Sequence, residues 1–321
     1  MPKPSVSVIM PNYNHARFLP GAVRALVAQS LPPLDIVLVD DGSTDDSLQV
    51  MKCLAAEFPC VRVLVNGTNI GTAASCNRGL DSARGAYLLF AAADDLVLPG
   101  LIEIGLEMLR KHPDTAMCCR TYLMYDEDTR EVKALDYLWG EAARAFTPVE
   151  LAEILPGWSI QTQGTIYDRT RFEAAGGIRE ELVWHGDWFL NHVLAFRYGI
   201  CYDPGPGTIR REHRGSYSQN GRRDWQRQRR VVRAILELFL AKAQRDVLPH
   251  VARAQLLGFF GDELSRLYFS DPALWTSEVL TLALPALHCS MSQGPLRKNR
   301  IFENLRDTPL EDFARSAFEG L

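Results

Sequence analysis

The sequence predicts an α/β fold, a parallel sheet with helices packed on both faces, and three observations carry that reading. Four short apolar runs rich in branched side chains, at 5–11, 34–40, 61–65 and 86–91, fit buried strands. Helical patterns at 16–29, 44–57 and 72–84 separate them, and strands that alternate with helices build parallel sheets. Polar, turn-forming clusters stand where the runs stop: Pro11-Asn12-Tyr13-Asn14, Asp40-Asp41-Gly42-Ser43 and Asp94-Asp95. Right-handed crossovers put every strand's C-terminal end on one edge, where open α/β sheets bind ligands, so the three clusters are expected to share one rim.

Each element has a local reason. The first run opens as a strand-like alternation and ends at Pro11. Ser43, Thr44 and Asp45 are N-cap residue types ahead of the second helix, and acidic groups there suit the helix dipole. Asn69-Ile70-Gly71 leads into the third helix, which carries Asn77-Arg78-Gly79. Pro99 fits the first turn of an amphipathic helix running to about Lys111. A mixed strand and loop region, denser in Trp, Tyr and His, then extends to Tyr217. From Arg222 the pattern is helical, with segments near 225–244, 247–269, 272–287 and 309–318, and the chain contains no internal repeat.

Composition narrows the function classes. A chain of 321 residues, 47% hydrophobic, can bury a full core and suits about two domains, which excludes disorder and a disulfide miniprotein. A net charge of −4 supplies no field for nucleic acid, so a charged partner has to be met locally. Seven cysteines without a CxxC pair read as reduced, mostly buried thiols, and no signal-peptide core precedes the first strand, so a cytoplasmic location is expected. The longest uncharged stretch, between Glu278 and Arg297, is broken by Pro285, His288 and Pro295 and reads as packed helix rather than a membrane span.

Taken singly, the polar clusters have two readings each. Asp94-Asp95 at a strand end offers hard oxygen ligands for Mg²⁺ or Mn²⁺, or caps the next turn. Asp41 precedes the helix caps, where its carboxylate can accept the N3–H of uracil or thymine; cytosine carries an acceptor at that atom. The loop at Asn69-Ile70-Gly71 is neither a Walker A nor a GxGxxG loop, which removes the commonest ATP and NAD readings while leaving helix N–H groups for an anion. Asp187, within Trp184-His185-Gly186-Asp187-Trp188-Phe189, is a helix cap or a general base beside an aromatic wall. Between Arg210 and Arg233 nine arginines face Glu212 and Asp224; this is a solvated face or, nearest His213, a set of phosphate contacts.

The order of these clusters is more specific than any one of them. Val8-Ile9-Met10-Pro11-Asn12-Tyr13-Asn14, then Val37-Leu38-Val39-Asp40-Asp41-Gly42-Ser43-Thr44-Asp45, then Asn69-Ile70-Gly71 with Asn77-Arg78-Gly79, then Asp94-Asp95 with Pro99, closely resembles the family 2 glycosyltransferases of the GT-A fold, over about residues 5 to 218. The resemblance implies a Rossmann-like mixed, mainly parallel sheet flanked by helices, with a helical C-terminal extension. It implies a catalytic domain over 1–221, divided at about 98 into nucleotide-binding and acceptor halves, and an extension over 222–321. It also implies a metal-dependent, inverting transfer of a hexose or N-acetylhexosamine from a nucleotide-diphosphate sugar, usually a UDP-sugar, with Mn²⁺ or Mg²⁺.

Carried over to this sequence, Pro11 and Tyr13 line the uracil pocket, Asp41 pairs with the base and Asp40 lies close to it. Asn69, Gly71 and Asn77 belong to the nucleotide site. Asp94 and Asp95 form the equivalent of the family's DxD motif, Asp94 contacting ribose or sugar and Asp95 the metal. Asp187 matches the catalytic base. His213, Ser216 and Ser218 resemble an HxxSxS segment near the diphosphate; from the residues alone, His213 completes a metal site or binds diphosphate oxygen, and Arg211, Ser216 and Ser218 are diphosphate or donor contacts. The family often has Ala-Arg-Asn where this chain has Ser75-Cys76-Asn77, and Glu before the base where this chain has Gly186.

The expected reaction is a single in-line displacement on the donor, with an acceptor hydroxyl of a polysaccharide, glycolipid or glycoprotein glycan. A sugar nucleotidyltransferase is the alternative enzyme, and a nucleotide-sugar-binding protein without turnover is the non-enzymatic one. The C-terminal helices pack on the catalytic domain, form a homodimer, or bring a basic face to the inner surface of the membrane or to a lipid-linked acceptor.

Overall fold

The computed structural model describes residues 5–134, 139–154, 160–212 and 224–292. Val6–Asn12 forms β1, the strand on which the N-terminal part of the sheet is built. It pairs in parallel with β2 (Asp35–Asp40), and β2 pairs with β3 (Val61–Val65) on its far side. β4 (Tyr87–Phe90) pairs in parallel with the other edge of β1. Every residue of β2 is buried, as expected of a strand covered on both faces.

Three helices make the crossovers: α1 (Leu19–Val27), α2 (Ser47–Glu57) and α3 (Thr72–Ser82). Leu19, Ala22, Val23 and Leu26 give α1 a buried face at helical spacing. On α3 the close approach to β1 depends on Gly79, because a Cβ there would meet the Ile9 side chain at 2.5 Å.

Beyond β4 the sheet becomes mixed. β5 (Leu96–Val97) and α4 (Leu101–Lys111) lead to β6 (Met117–Asp126), whose far end pairs with β7 (Val132–Ala134). β8 (Arg144–Phe146) precedes α5 (Pro148–Ile154). β9 (Thr165–Asp168) inserts antiparallel between β4 and β6 and is followed by α6 (Arg169–Ala174). A 3₁₀ turn over Glu180–His185 runs into α7 (Gly186–Tyr198), and β10 (Ile200–Glu212) returns parallel to β6. The strand order is β3-β2-β1-β4-β9-β6-β10-β5, with β7 on β6 and β8 on β10. This is the mixed, mainly parallel sheet that the resemblance implies. The antiparallel members escape the sequence because β9 spans four residues and β5 two, too few to show a period.

β10 is irregular where it matters. Its register on β6 shifts on both sides of Pro206, and a bulge of this kind bends and re-aims a strand end. Past the bulge, Thr208 and Ile209 pair with β5, so Arg210 and Arg211 run alongside the Asp94-Asp95 turn.

The chain divides into two compact units, residues 1–148 with 160–219, and residues 149–159 with 220–321. In the second, α8 (Trp225–Leu240) buries Val231, Val232, Ile235, Leu236 and Phe239. The helical pattern at 247–269 is interrupted: α9 (Leu248–Arg253) and α10 (Gly261–Ser270) flank a 3₁₀ turn at Leu256–Phe260, because Gln255 (φ 48°) and Gly261 (φ 42°) leave the helical region. α11 (Ser277–Ser292) follows, and the segment read near 309–318 lies outside the described residues. No helix among the described residues is long and apolar enough to cross a membrane. The described cysteines are free thiols, and Cys76, Cys118, Cys119 and Cys201 are buried.

Candidate active site

The C-terminal ends of β1, β2 and β4 form the expected rim, and the loops that leave β1 and β2 are latched together. Asn14 sits at φ 59°, and its Oδ1 accepts from the Thr44 N–H at 2.7 Å and the Asp45 N–H at 3.3 Å. Ser43 Oγ accepts from Asn12 Nδ2 at 3.2 Å and from the Asn14 N–H at 3.0 Å, while Asp45 Oδ2 accepts from the Ala16 N–H at 3.0 Å. Tyr13, between these anchors, exposes 44% of its surface, and Pro11 is half-buried beside it. Asn12 and Asp40 are register neighbours on β1 and β2, both buried, each with its Oδ1 unmatched by a protein donor.

Asp41 is buried and turned toward the third crossover. Its Oδ1 accepts from Asn66 Nδ2 and the Ile70 N–H, both at 2.9 Å, and its Oδ2 accepts from the Gly71 N–H at 3.0 Å. A carboxylate has about four lone-pair positions, so about one is left for a base. The carboxylate therefore holds the start of α3 in place, a role that sequence reasoning missed because its partners, the Asn66 amide and the N–H groups of Ile70 and Gly71, lie 25 to 30 residues away. Gly42 makes the approach possible: at φ 73°, a Cβ on it would lie 2.5 Å from the Thr68 carbonyl carbon. Asn69 and Ile70 are exposed at the tip of this loop, and Gly71 (φ 94°) caps α3.

Asp95 is 9% exposed, at the turn between β4 and β5. Its Oδ1 accepts the Arg211 N–H at 2.9 Å. Burial, with the neighbouring Asp94 charge adding to it, pushes the Asp95 carboxyl up to about 7 against the opposing pull of that hydrogen bond and of Arg210 and Arg211. It lines a recess together with Gln163, Gly164 and Thr208. The Arg211 guanidinium lies over Phe18 and Tyr125, at 4.7 and 5.3 Å from their ring centres, and its Nε donates to the Asp94 carbonyl at 3.2 Å. Arg211 thus clamps the Asp94-Asp95 turn from both backbone and side chain.

Asp187 falls in the first turn of α7, whose cap position is His185, so the carboxylate is not the helix cap. Its Oδ2 accepts from the Thr162 hydroxyl at 2.8 Å and its Oδ1 from the Trp188 N–H at 2.7 Å. The turn before it is tight: Val183, a branched residue, sits at φ 51°, and a Cβ on Gly186 would come within 3.0 Å of the Arg179 carbonyl oxygen. A larger residue in place of Gly186 would push against that backbone and the Ile178 side chain.

α3 connects the rim to this turn. Asn77 Nδ2 donates to the Ile178 carbonyl at 2.9 Å and to Glu180 Oε1 at 3.1 Å, so its amide serves the segment ahead of Asp187. Cys76, one residue earlier, is a fully buried thiol pushed up to about 12, chiefly by burial, with the charges of Asp187 and then Asp41 adding to it. His213, Ser216 and Ser218 lie outside the described residues.

The model of the Glycosyl transferase family 2 matches residues 7–174, slightly over half of the chain. An uncharacterised glycosyltransferase of Haemophilus influenzae is 32% identical over 223 residues, covering 68% of this chain and 84% of that protein. A PGL/p-HBAD biosynthesis glycosyltransferase of Mycobacterium bovis is 36% identical over 206 residues, covering 62% of this chain and 75% of its own. The uncharacterised glycosyltransferase YibD of Escherichia coli is 37% identical over 114 residues, which span 33% of its length. Among solved structures, residues 1–349 of Staphylococcus aureus TarS align with a TM-score of 0.60 at 17% identity, over 97% of this chain and 87% of that one. TarS has also been solved in complex with UDP and with UDP-GlcNAc. The family match, the Haemophilus relative aligned over most of its length, and the sheet order and rim described above together establish that this chain belongs to glycosyltransferase family 2, with a GT-A fold.

Proposed function

We propose that this chain is an inverting glycosyltransferase that moves a hexose or N-acetylhexosamine from a UDP-sugar to an acceptor hydroxyl, with Asp187 as general base. What supports this reading is Asp187 itself: a half-buried carboxylate held by Thr162, after a turn that Asn77 ties to α3, the helix whose start is held by the rim carboxylate Asp41. Tyr13 supplies an exposed ring for one face of a base, and Asp40, Asn12 and the remaining lone pair of Asp41 supply buried acceptors beside it. The TarS complexes with UDP and UDP-GlcNAc favour a uridine donor within this fold.

In the proposed reaction Asp187 accepts the proton of the acceptor hydroxyl as that oxygen bonds to the anomeric carbon. The bond from that carbon to the diphosphate oxygen breaks, and its electron pair leaves with UDP. One displacement inverts the anomeric centre, so an α-linked donor gives a β-linked product and no sugar becomes bound to the protein. The chemistry of Asp94 and Asp95 fits a divalent ion: hard oxygens, one of them buried beside a like charge that a cation would neutralise. Mg²⁺ or Mn²⁺ held there would stabilise negative charge on the departing diphosphate. Arg211 keeps the turn that bears these carboxylates in place, and the Asp41 carboxylate keeps the α3 loop against the rim.

The proposed acceptor is a hydroxyl of a polysaccharide, glycolipid or glycoprotein glycan. The second unit is read as a packed helical extension; sedimentation and membrane fractionation test the dimer and membrane alternatives. UDP release from a panel of UDP- and TDP-sugars, with Mn²⁺ and with EDTA, tests the function. Release from one UDP-sugar that stops in EDTA supports the reading, whereas tight donor binding without any release identifies a binding protein.

A further inference from the structure

Asp187 stands at the end of a buried hydrogen-bond chain whose direction is set at its far end. Tyr167 on β9 is 1% exposed, and its hydroxyl donates to Asn191 Oδ1 at 2.9 Å. Burial, with the Cys119 and Asp187 charges adding to it, holds that phenol well above its ordinary range against the opposing pull of its hydrogen-bond interactions with Thr162 and Asn191, so it stays a protonated donor. With its oxygen committed to Tyr167, Asn191 turns its Nδ2 to the Ile160 carbonyl at 3.1 Å and to Thr162 Oγ1 at 3.2 Å. The opposite amide orientation would set oxygen against the Ile160 carbonyl, acceptor against acceptor. Thr162 Oγ1, accepting from Asn191, has its single proton for Asp187 Oδ2 at 2.8 Å.

The segment that carries Thr162 also reaches the other carboxylate cluster. Gln163 and Gly164 line the recess that holds Asp95. The same few residues thus touch the group proposed to take the acceptor's proton and the wall beside the Asp94-Asp95 turn.

We infer that Tyr167, Asn191 and Thr162 are positioning residues for sugar transfer, a directional relay that fixes the rotation of the Asp187 carboxylate toward the acceptor hydroxyl. The inference rests on the reading of Asp187 as the base. None of the three needs to touch donor or acceptor. Loss of the Tyr167 hydroxyl removes the donor to Asn191 Oδ1 and leaves only the Ile160 carbonyl and Thr162 Oγ1 to hold the amide, so the Thr162 proton is less firmly directed to Asp187.

The test compares Thr162→Val, Thr162→Ser, Tyr167→Phe and the double variant Thr162→Val/Tyr167→Phe in the full chain. The probes are UDP release from the UDP-sugar turned over fastest in the panel, and UDP affinity by calorimetry. T162V is expected to lower kcat by about 10- to 100-fold, the scale of a misaligned catalytic group, with UDP affinity within about twofold of the parent. T162S keeps the hydroxyl and stays within about threefold of the parent kcat. Y167F removes the hydroxyl that donates to Asn191 and also acts directly on Thr162, so it loses several-fold in kcat, and the double variant falls no further than T162V.

A T162V kcat within twofold of the parent, a T162S loss as large as that of T162V, or multiplicative losses in the double variant would overturn the relay. T162A replaces T162V if the latter does not fold, and UDP affinity reports folding in every case. Asp187→Asn separates the two readings. If it retains turnover, the base assignment fails; if it is inactive while T162V is not impaired, the relay alone fails.

Discussion

Replacing Asp95 by Asn is expected to stabilise the metal-free protein above neutral pH, while removing the charge that a cation needs. The Asp95 carboxyl sits at about 7 in the folded chain, against 3.8 for an unperturbed aspartate. Between those values the native state binds a proton that the unfolded state has released, so stability falls as pH rises. The favourable contribution is complete below about 3.8 and lost once the pH passes about 7. At about 1.36 kcal/mol per pH unit, the gap of about three units costs the ionised parent on the order of 4 kcal/mol at pH 8. An Asn side chain keeps an oxygen for the Arg211 N–H and carries no charge to bury. Urea melts of parent and D95N in EDTA, at pH 5 and pH 8, read the effect. D95N should exceed the parent by several kcal/mol at pH 8 and by much less at pH 5, and Mn²⁺ should raise only the parent. A D95N protein less stable than the parent at pH 8, or a difference independent of pH, would refute the reasoning.

Other substitutions probe the frame around the rim. Gly42→Ala combines a left-handed φ with a backbone clash at 2.5 Å, so it should cost about 3 kcal/mol in denaturant melts and weaken UDP binding by releasing the 68–71 loop. Asp35 is fully buried at the opposite end of β2, where Arg62 at 2.9 Å, Arg84 at 3.0 Å and the Ser7 hydroxyl converge on it. Asp35→Ala should destabilise by about 2 kcal/mol, a loss softened because both arginines can reach water, and leave kcat unchanged in the folded fraction. Asn77→Ala should lose about 1 kcal/mol and lower kcat with unchanged UDP affinity; a large loss of UDP affinity would instead give this amide to the nucleotide.

The N-terminal part of the sheet was legible because its elements carry local signals. β1 and β2 are long apolar runs, each ending in polar residues at the turn, and the parallel connections need only the rule of right-handed crossovers to place Asn12, Asp40 and Asp41 on one edge. Asp187 was legible as a single carboxylate at a helix start, though its cap position proved to be His185. What surrounds these groups was not legible, because it is made by residues far apart in the chain. The partners of Asp41 are N–H groups at 70 and 71, and Asp95 is met by the backbone of Arg211, 116 residues on. The sequence shows Arg211 only as one of an arginine-rich stretch; that its guanidinium lies over Phe18 and Tyr125 and donates to the Asp94 carbonyl is decided by residues far from it in the chain. Thr162, Asn191 and Tyr167 carry no motif at all; only the packing of β9 against β4 and β6, with α7 nearby, brings their polar atoms into line.

The central claim is that Asp187 takes the acceptor's proton in a transfer from a UDP-sugar. Its most direct test is sugar transfer by Asp187→Asn, measured beside UDP affinity on the same preparation. The account predicts transfer reduced by at least about a thousandfold with UDP affinity within about twofold of the parent, the signature of a group that acts in the transition state alone. Transfer at the parent's rate, with UDP bound as before, would contradict it.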